Sequence, residues 1–569
     1  MAVSFRWLTP LLAALVLSSL TGCDDDDPVP PSPDAGAPDS GVPDSGVPDA
    51  GPPDSGPPDA GPPDSGPYVW DGTYTEMEDP GDWIDPGAPY APCTFDTSNP
   101  DSGVCEQLSR FDVSRCDRDA LAALPQEGIY QAAIRDVIPL GDGGVRIAGT
   151  TFGLKLQGGT PDTSTMFGNP LRYRDTEGGD FAVIGEIPRT STTFTVVGCK
   201  TPAPNVILGC IATCRRGVVT RTGTFEAHRV AKQNEPEASG GLTLVGEGYT
   251  PVGTPVDVYV TKGHAYVVST PMRDKDGGLS IFDVSNPRNP ILRTKLSLPG
   301  DNFWNGVWAK GDALYIASED RGTLVYDISK PAEPLFIRSL PTGNPGGAHT
   351  VLVDGDRLYS MDTNTATYVH DITDPLNPVL RTVIGTPPEK PDGAPHDSFV
   401  YQNRLYISNQ FGGYVVADVT DLDNVSFLGL YDSGPGIYSH HSAVGTFGGK
   451  TIAFMGAEFN ASHVRVLDVT DPTHIVKIGE FRLRQTTSMH NMLLRGNRLY
   501  VVWYHDGLRV LDVSNPTKPK QVAHHLTFRE EDPDRGDLMF EGAIGLRIPG
   551  DGYIYVVDTS RGLLIFNEL

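Results

Sequence analysis

Leu508-Arg-Val-Leu-Asp512-Val-Ser-Asn-Pro516 decides how the C-terminal half of this 569-residue chain folds. An apolar strand-forming run ends in an aspartate, whose carboxylate can accept hydrogen bonds from backbone N–H groups about two residues on. A proline then fixes φ and ends strand pairing. The phrase is therefore a strand running into a built-in turn, and it recurs. Leu279-Ser-Ile-Phe-Asp283-Val-Ser-Asn-Pro287, Leu324-Val-Tyr-Asp327-Ile-Ser-Lys-Pro331, Tyr368-Val-His-Asp371-Ile-Thr-Asp-Pro375, Val415-Val-Ala-Asp418-Val-Thr-Asp421 and Val464-Arg-Val-Leu-Asp468-Val-Thr-Asp-Pro472 make six copies with the first, and Leu563-Leu-Ile-Phe-Asn567 is a shortened seventh. The spacing between the acids, 44 to 55 residues, suits four short strands and their turns, which is one propeller blade. Each turn offers too few carboxylates for a hard cation such as calcium, so the acids read as turn formers.

These phrases resemble the LVIVD repeat of bacterial surface and secreted proteins, over residues 255–569. The resemblance implies a β-propeller and carries no single chemistry with it. Seven units predict seven blades. The last unit holds three strands, and Gly241-Leu-Thr-Leu-Val-Gly-Glu247, ahead of the first unit, resembles a fourth. It is expected to complete blade seven, close the ring and remove two exposed sheet edges.

Residues 1–22 read as an export signal: Arg6, an apolar stretch from Trp7 to Leu20, then Leu20-Thr21-Gly22-Cys23. That ending resembles the lipobox of bacterial lipoproteins, which implies cleavage before Cys23 and acylation of Cys23, with several acyl chains giving a stable anchor. Residues 33–67 repeat Pro-Asp-Ala/Ser-Gly-Ala/Val/Pro seven times, a composition that cannot bury apolar area and reads, as 23–67, as a disordered spacer. The formal charge of −28 argues against a nucleic-acid partner. Eleven of the acids are spacer aspartates, so part of that charge belongs to the tether.

The remaining six cysteines, Cys93, Cys105, Cys116, Cys199, Cys210 and Cys214, fall within residues 68–238. An even count in an exported chain predicts three disulfides of unspecified pairing rather than a metal site at Cys210 and Cys214. Alternating apolar stretches between 128 and 231 predict an antiparallel sandwich or small barrel. The fold class is therefore all-β: a smaller disulfide-bearing β-rich domain, then a seven-bladed β-propeller over 239–569.

Aligning the innermost strands exposes a polar ring. Asn305, His349, His396 and His490 each lie nine residues before a Leu that precedes Tyr: Leu314, Leu358, Leu405 and Leu499. Asp257, His441 and Glu541 are the best fits in the other blades. First residues of innermost strands surround the channel mouth, where the loops bearing Glu319, Asp320, Arg321, Glu458, Tyr504, His505, Asp506 and Arg561 also fall. Two readings of the ring follow. His349, His396, His441 and His490 are candidate ligands of a transition metal, with Asp257 or Glu541 as candidate catalytic base. Alternatively the ring is a hydrated polar channel lining. No Walker loop, HExxH or GxSxG motif is present, and His524-His525 reads as a solvated pair on an outer strand. The leading expectation is a lipid-anchored bacterial envelope protein that displays its propeller to bind a protein, glycan or other ligand at the loop face. The alternative is a metal-dependent oxidoreductase or hydrolase working at the ring.

Overall fold

A computed structural model describes residues 69–98, 104–125, 127–160, 162–231, 235–272, 275–341, 346–391, 393–434, 436–459 and 461–569. The export signal, Cys23 and the spacer lie outside the described residues. Among those described, no helix is long and apolar enough to cross a membrane.

Seven antiparallel sheets follow one another from Thr254 to Asn567, the first five of them built from four consecutive strands each. The innermost strands are Thr254–Thr261, Trp304–Lys310, Thr350–Asp354, Asp397–Tyr401, Tyr438–Phe447, Met492–Arg495 and Ala543–Arg547. Both faces of each blade are covered by neighbours, so strands read as near-continuous apolar runs. Val258, Val267 and Ile281 of blade one pack with Leu314, Ile316 and Leu324 of blade two, all fully buried. The ring closes as expected: Leu244–Gly248 pairs antiparallel with Gly562–Asn567. The Asn567 side chain accepts from the Thr243 amide at 2.7 Å.

The recurring acids do what their turns require. Asp283, Asp327, Asp371, Asp418, Asp468 and Asp512 accept from the backbone N–H two residues on, at 2.7–3.1 Å. Tyrosines of the second strands stitch neighbouring blades together, Tyr266 donating to the Pro331 carbonyl at 3.0 Å and Tyr315 to Pro375 at 2.7 Å.

One expectation fails on the outer rim. Ala238–Ser239 adds a fifth strand to blade six, pairing with His524 and His525. Both histidines are buried beneath it. His524 Nε2 lies 2.8 Å from the Pro236 carbonyl.

The N-terminal domain is one nine-stranded antiparallel sheet, not two facing sheets. Its long strands are Gly128–Pro139, Val145–Leu156, Thr192–Ala203, Val206–Arg215 and Val218–Arg229. The sheet curls into a half-barrel, so that Met166 at one end lies against Gly185 at the other. Tyr130, Phe152, Phe194, Ile211 and Phe225 fill its inner face. Against the other face the disulfides Cys93–Cys210, Cys105–Cys214 and Cys116–Cys199 pin the preceding irregular segment.

Two segments join the half-barrel to the propeller. Residues 70–84 run along blade five, where Arg465, fully buried, bonds Asp79 at 2.6 and 3.2 Å and Asp82 at 2.8 Å. The loop 526–542, between blades six and seven, docks on the sheet. Gln131 donates to the Asp537 carbonyl at 2.7 Å, and Arg229 holds Glu530 at 2.6 Å. Gly153 permits this docking, since a Cβ there would sit 1.6 Å from the Asp537 carbonyl oxygen. Gly153→Val is therefore expected to expel the loop, costing about 1–3 kcal/mol by overpacking. The measurement is hydrogen exchange over 526–542, with Gly141→Ala, which meets nothing within 4 Å, as the comparison. Unchanged protection in the valine variant would refute the docking.

Candidate functional site

The innermost strands of blades one, two, five and seven start with a β-bulge, which places two successive residues opposite one on the partner strand. The register shifts fall at Val256, Asn305, His440 and Ile544. In blades three, four and six the amides of His349, His396 and His490 make the matching bond to the second strand. The equivalent first ring is thus Val256, Asn305, His349, His396, His440, His490 and Ile544. A second ring, one residue on, contains Asp257, Thr350, Asp397, His441 and Asn491.

Three sequence assignments shift accordingly. In blade one the first-ring residue is Val256, and Asp257 lies one step deeper. In blade five it is His440, with His441 one step deeper. In blade seven it is Ile544. Glu541 stays outside the channel lining: it accepts from the Gly536 amide at 3.2 Å and Thr559 at 3.1 Å, beside Arg535. The nine-residue offset was enough for blade one, since counting back from Ala265-Tyr266 lands on Val256. Blade five gave no such signal, because its first two strands, Tyr438–Phe447 and Lys450–Glu458, are longer.

Four imidazoles therefore form an arc over four adjacent blades. Ring centroids are 4.4 Å apart for His349–His396, 4.2 Å for His396–His440 and 4.2 Å for His440–His490. At one end, His349 Nδ1 donates to Glu319 Oε1 at 2.5 Å, leaving Nε2 to accept from Asn305 at 3.1 Å. At the other, Glu458 accepts from the Tyr504 hydroxyl at 2.5 Å and lies 3.7 Å from His440 Nε2 and 3.8 Å from His490 Nε2. The ligating atoms of His396, His440 and Glu458 all lie within 4.8 Å of one another. Aromatic rings of Tyr438, Phe459, Phe540 and Tyr504 pack beside the cluster.

Burial shapes the charge states. It holds His396 and His440 well below the ordinary imidazole value, with repulsion from neighbouring imidazoles adding to it. It lowers His490 and His441 to about 3 and raises Glu458 to about 7. His349 is the exception: burial works against its charged form, yet the Glu319 carboxylate outweighs it and raises the value. In the second ring, burial raises Asp257 to about 6 and Asp397 to about 7. Arg547 opposes both shifts and stacks 4.1 Å over Trp308. A cavity of about 140 Å³ lies along the two rings, lined among others by His396, His440, His490, Asp257, Asp397 and Arg547.

The other residues of the loop face divide. Glu319, Glu458 and Tyr504 join the arc. His505 turns to the Leu538 carbonyl, Asp506 pairs with Arg484, and Arg561 pairs with Glu247. Asp320 accepts from the Asn302 amide, and Arg321 donates to the Pro299 carbonyl. Cys93, Cys116 and Cys199 also cluster, but their sulfurs are committed to disulfides.

The LVIVD repeat matches residues 253–296, 305–342 and 489–527, which are blades one, two and six, so the chain carries LVIVD repeats within a seven-bladed propeller. A search of curated proteins gives no match. Among solved structures, the chain is similar to the WD40 β-propeller domain of Doa1, at 14% identity over 58% of this chain and 98% of that one, with a TM-score of 0.42. It is also similar to the computationally designed Ika8 protein, at 10% identity over 57% and 99%, with a TM-score of 0.40.

Proposed function

We propose that this chain is an envelope-displayed binding module. It is held to a bacterial membrane through acylated Cys23 on its Asp/Pro/Gly spacer, and it takes a ligand in the channel mouth of the propeller. One observation carries the binding reading: charged and polar side chains from all seven blades converge on a single cavity of about 140 Å³. Burying so many polar groups is costly unless something satisfies them. The three disulfides support maturation in an oxidising compartment outside the cytosol. The anchoring part rests on Leu20-Thr21-Gly22-Cys23 alone.

Both parts are tested on the full chain. Detergent phase partitioning should carry the wild type with the membrane fraction and leave Cys23→Ala in the aqueous phase; equal partitioning would reject the anchor. For binding, melting curves against a panel of divalent ions, small carboxylates and sugars should show at least one stabilising ligand whose effect is lost in Asp397→Asn or His440→Ala. A panel without any such shift would reject the channel mouth as the site.

A second reading, a metal-dependent oxidoreductase or hydrolase, is favoured by the cavity adjoining the imidazole arc, which leaves room for a substrate. Asp257 lines that cavity and remains the candidate base. Glu541, bonded to Gly536 and Thr559, does not.

A further inference from the structure

We infer that His396, His440, His490 and Glu458 form a binding site for a divalent first-row transition metal ion of the zinc class. This deepens the reading of the channel mouth as the binding site and rests on it.

Four observations lead there. First, the donor set is right. Three imidazoles and one carboxylate suit zinc, copper, iron or nickel rather than calcium or magnesium, which take oxygen ligands.

Second, the spacing is close to what one ion needs. Ligand atoms bound at about 2.0–2.1 Å in tetrahedral geometry stand about 3.3–3.4 Å apart. Glu458 oxygens lie 3.7 Å from His440 Nε2 and 3.8 Å from His490 Nε2. The ligand atoms of His396, His440 and Glu458 stand within 4.8 Å of one another, and His490 joins them through Glu458; drawing them to ligand spacing takes side-chain movements of up to about 1.5 Å.

Third, the site leaves polar atoms without partners. His440 is 1% exposed, and neither of its ring nitrogens has a hydrogen bond; His396 Nδ1 also lacks one. Buried polar groups are otherwise nearly always satisfied. An ion would take up one nitrogen of each imidazole together with a Glu458 oxygen, reducing the number of unpartnered buried atoms.

Fourth, the ligands are oriented by outer partners as metal ligands are. His490 Nδ1 donates to the Ile544 carbonyl at 2.7 Å, which leaves its Nε2 lone pair directed toward Glu458. The Tyr504 hydroxyl fixes Glu458 at 2.5 Å. His349 is not a ligand here, since its two nitrogens are engaged by Glu319 and Asn305. Nor is His441, whose Nδ1 faces the Met492 amide in the second ring.

The test uses the full chain, purified without a metal-affinity tag and stripped with a chelator. Zinc titrated into it, followed by calorimetry and elemental analysis, should bind at one ion per chain. His440→Ala and Glu458→Gln should each weaken that binding at least tenfold, and His441→Ala should leave it within twofold. Glu458→Gln preserves the size of the side chain and a partner for Tyr504, so it stays informative if His440→Ala fails to fold. Cobalt in place of zinc should give visible d–d bands that vanish in Glu458→Gln. Failure of zinc, copper and iron(II) to bind at stoichiometry, or binding that is equal in His440→Ala, would overturn the inference. If metal-free chain is still stabilised by a carboxylate or sugar, and Asp397→Asn abolishes that effect, the metal fails while the channel mouth survives as a binding site. Loss of both fails the two together.

Discussion

Reducing the three disulfides is expected to unfold the half-barrel while the propeller stays folded. The bonds Cys93–Cys210, Cys105–Cys214 and Cys116–Cys199 close stretches of 117, 109 and 83 residues. In the chain-entropy account, cross-links over loops of that length each contribute about 4–5 kcal/mol, although measured losses run at about 2–5 kcal/mol. They share the irregular segment from Cys93 to Cys116, so their effects will not add. Among its described residues that segment has only short elements, the paired Thr94–Phe95 and Phe111–Asp112 and the single helical turns Val104–Glu106 and Leu108–Arg110. The bridges hold it on the sheet together with a small apolar cluster in which Val104 and Phe111 meet Leu208 and Ala212. The propeller contains no cysteine and is closed by strand pairing. Circular dichroism and tryptophan fluorescence under reductant should show two separated transitions, with the earlier one absent in oxidised protein. A single transition at the oxidised midpoint would mean that the bridges add little to the packing of the sheet.

Arg465→Ala should release the segment 70–84 from blade five and cost about 3–5 kcal/mol. Removing one partner of a buried ion pair leaves the other charge uncompensated. Arg465 is fully buried against Asp79 and Asp82, and Tyr431 donates to Asp79 at 2.8 Å. By contrast Arg381, 3.8 Å from Asp371 with both side chains more than a third exposed, should change stability by less than about 1 kcal/mol on replacement. Proteolysis within 70–84 reports the release, and denaturant midpoints report the cost. The pair also sets an acid limit. Although burial alone would raise it, Asp79 is held well below the ordinary carboxylate value by Arg465, Tyr431 and Lys477. Its contribution is therefore fully present above about pH 3.9 and is lost as pH falls through the depressed folded value. The segment should come loose in strong acid before the propeller unfolds. In Arg465→Ala/Asp79→Asn, where one buried charge has been removed with its partner, part of the lost stability should return. No recovery would refute the ion-pair account.

The candidate site was partly legible and partly not, and the residues divide on a physical line. His349, His396 and His490 were found because a fixed count to the next strand keeps its meaning wherever the hairpin keeps its length. His440 was missed in favour of His441 because blade five has a longer hairpin, and a bulge puts consecutive residues on the same side of the strand. Glu458 was noted among the loop residues. Nothing in its local sequence distinguished it from Asp320 or Asp506, which turned elsewhere.

What this sequence determined alone is everything that local chemistry enforces: Asp-ended strands and their turns, a blade-length repeat, seven units, a spare strand to close the ring, and an even set of cysteines. These follow from backbone sterics, hydrogen bonding within a few residues, and apolar periodicity. Only the tertiary structure decided which cysteines pair, that the smaller domain is one curled sheet, that residues 70–84 belong against blade five, and which side chains meet in the channel. Each of those depends on groups tens to hundreds of residues apart being brought within a few ångströms. Bulge register and the docking of segments across the ring set that proximity, and no local pattern encodes either.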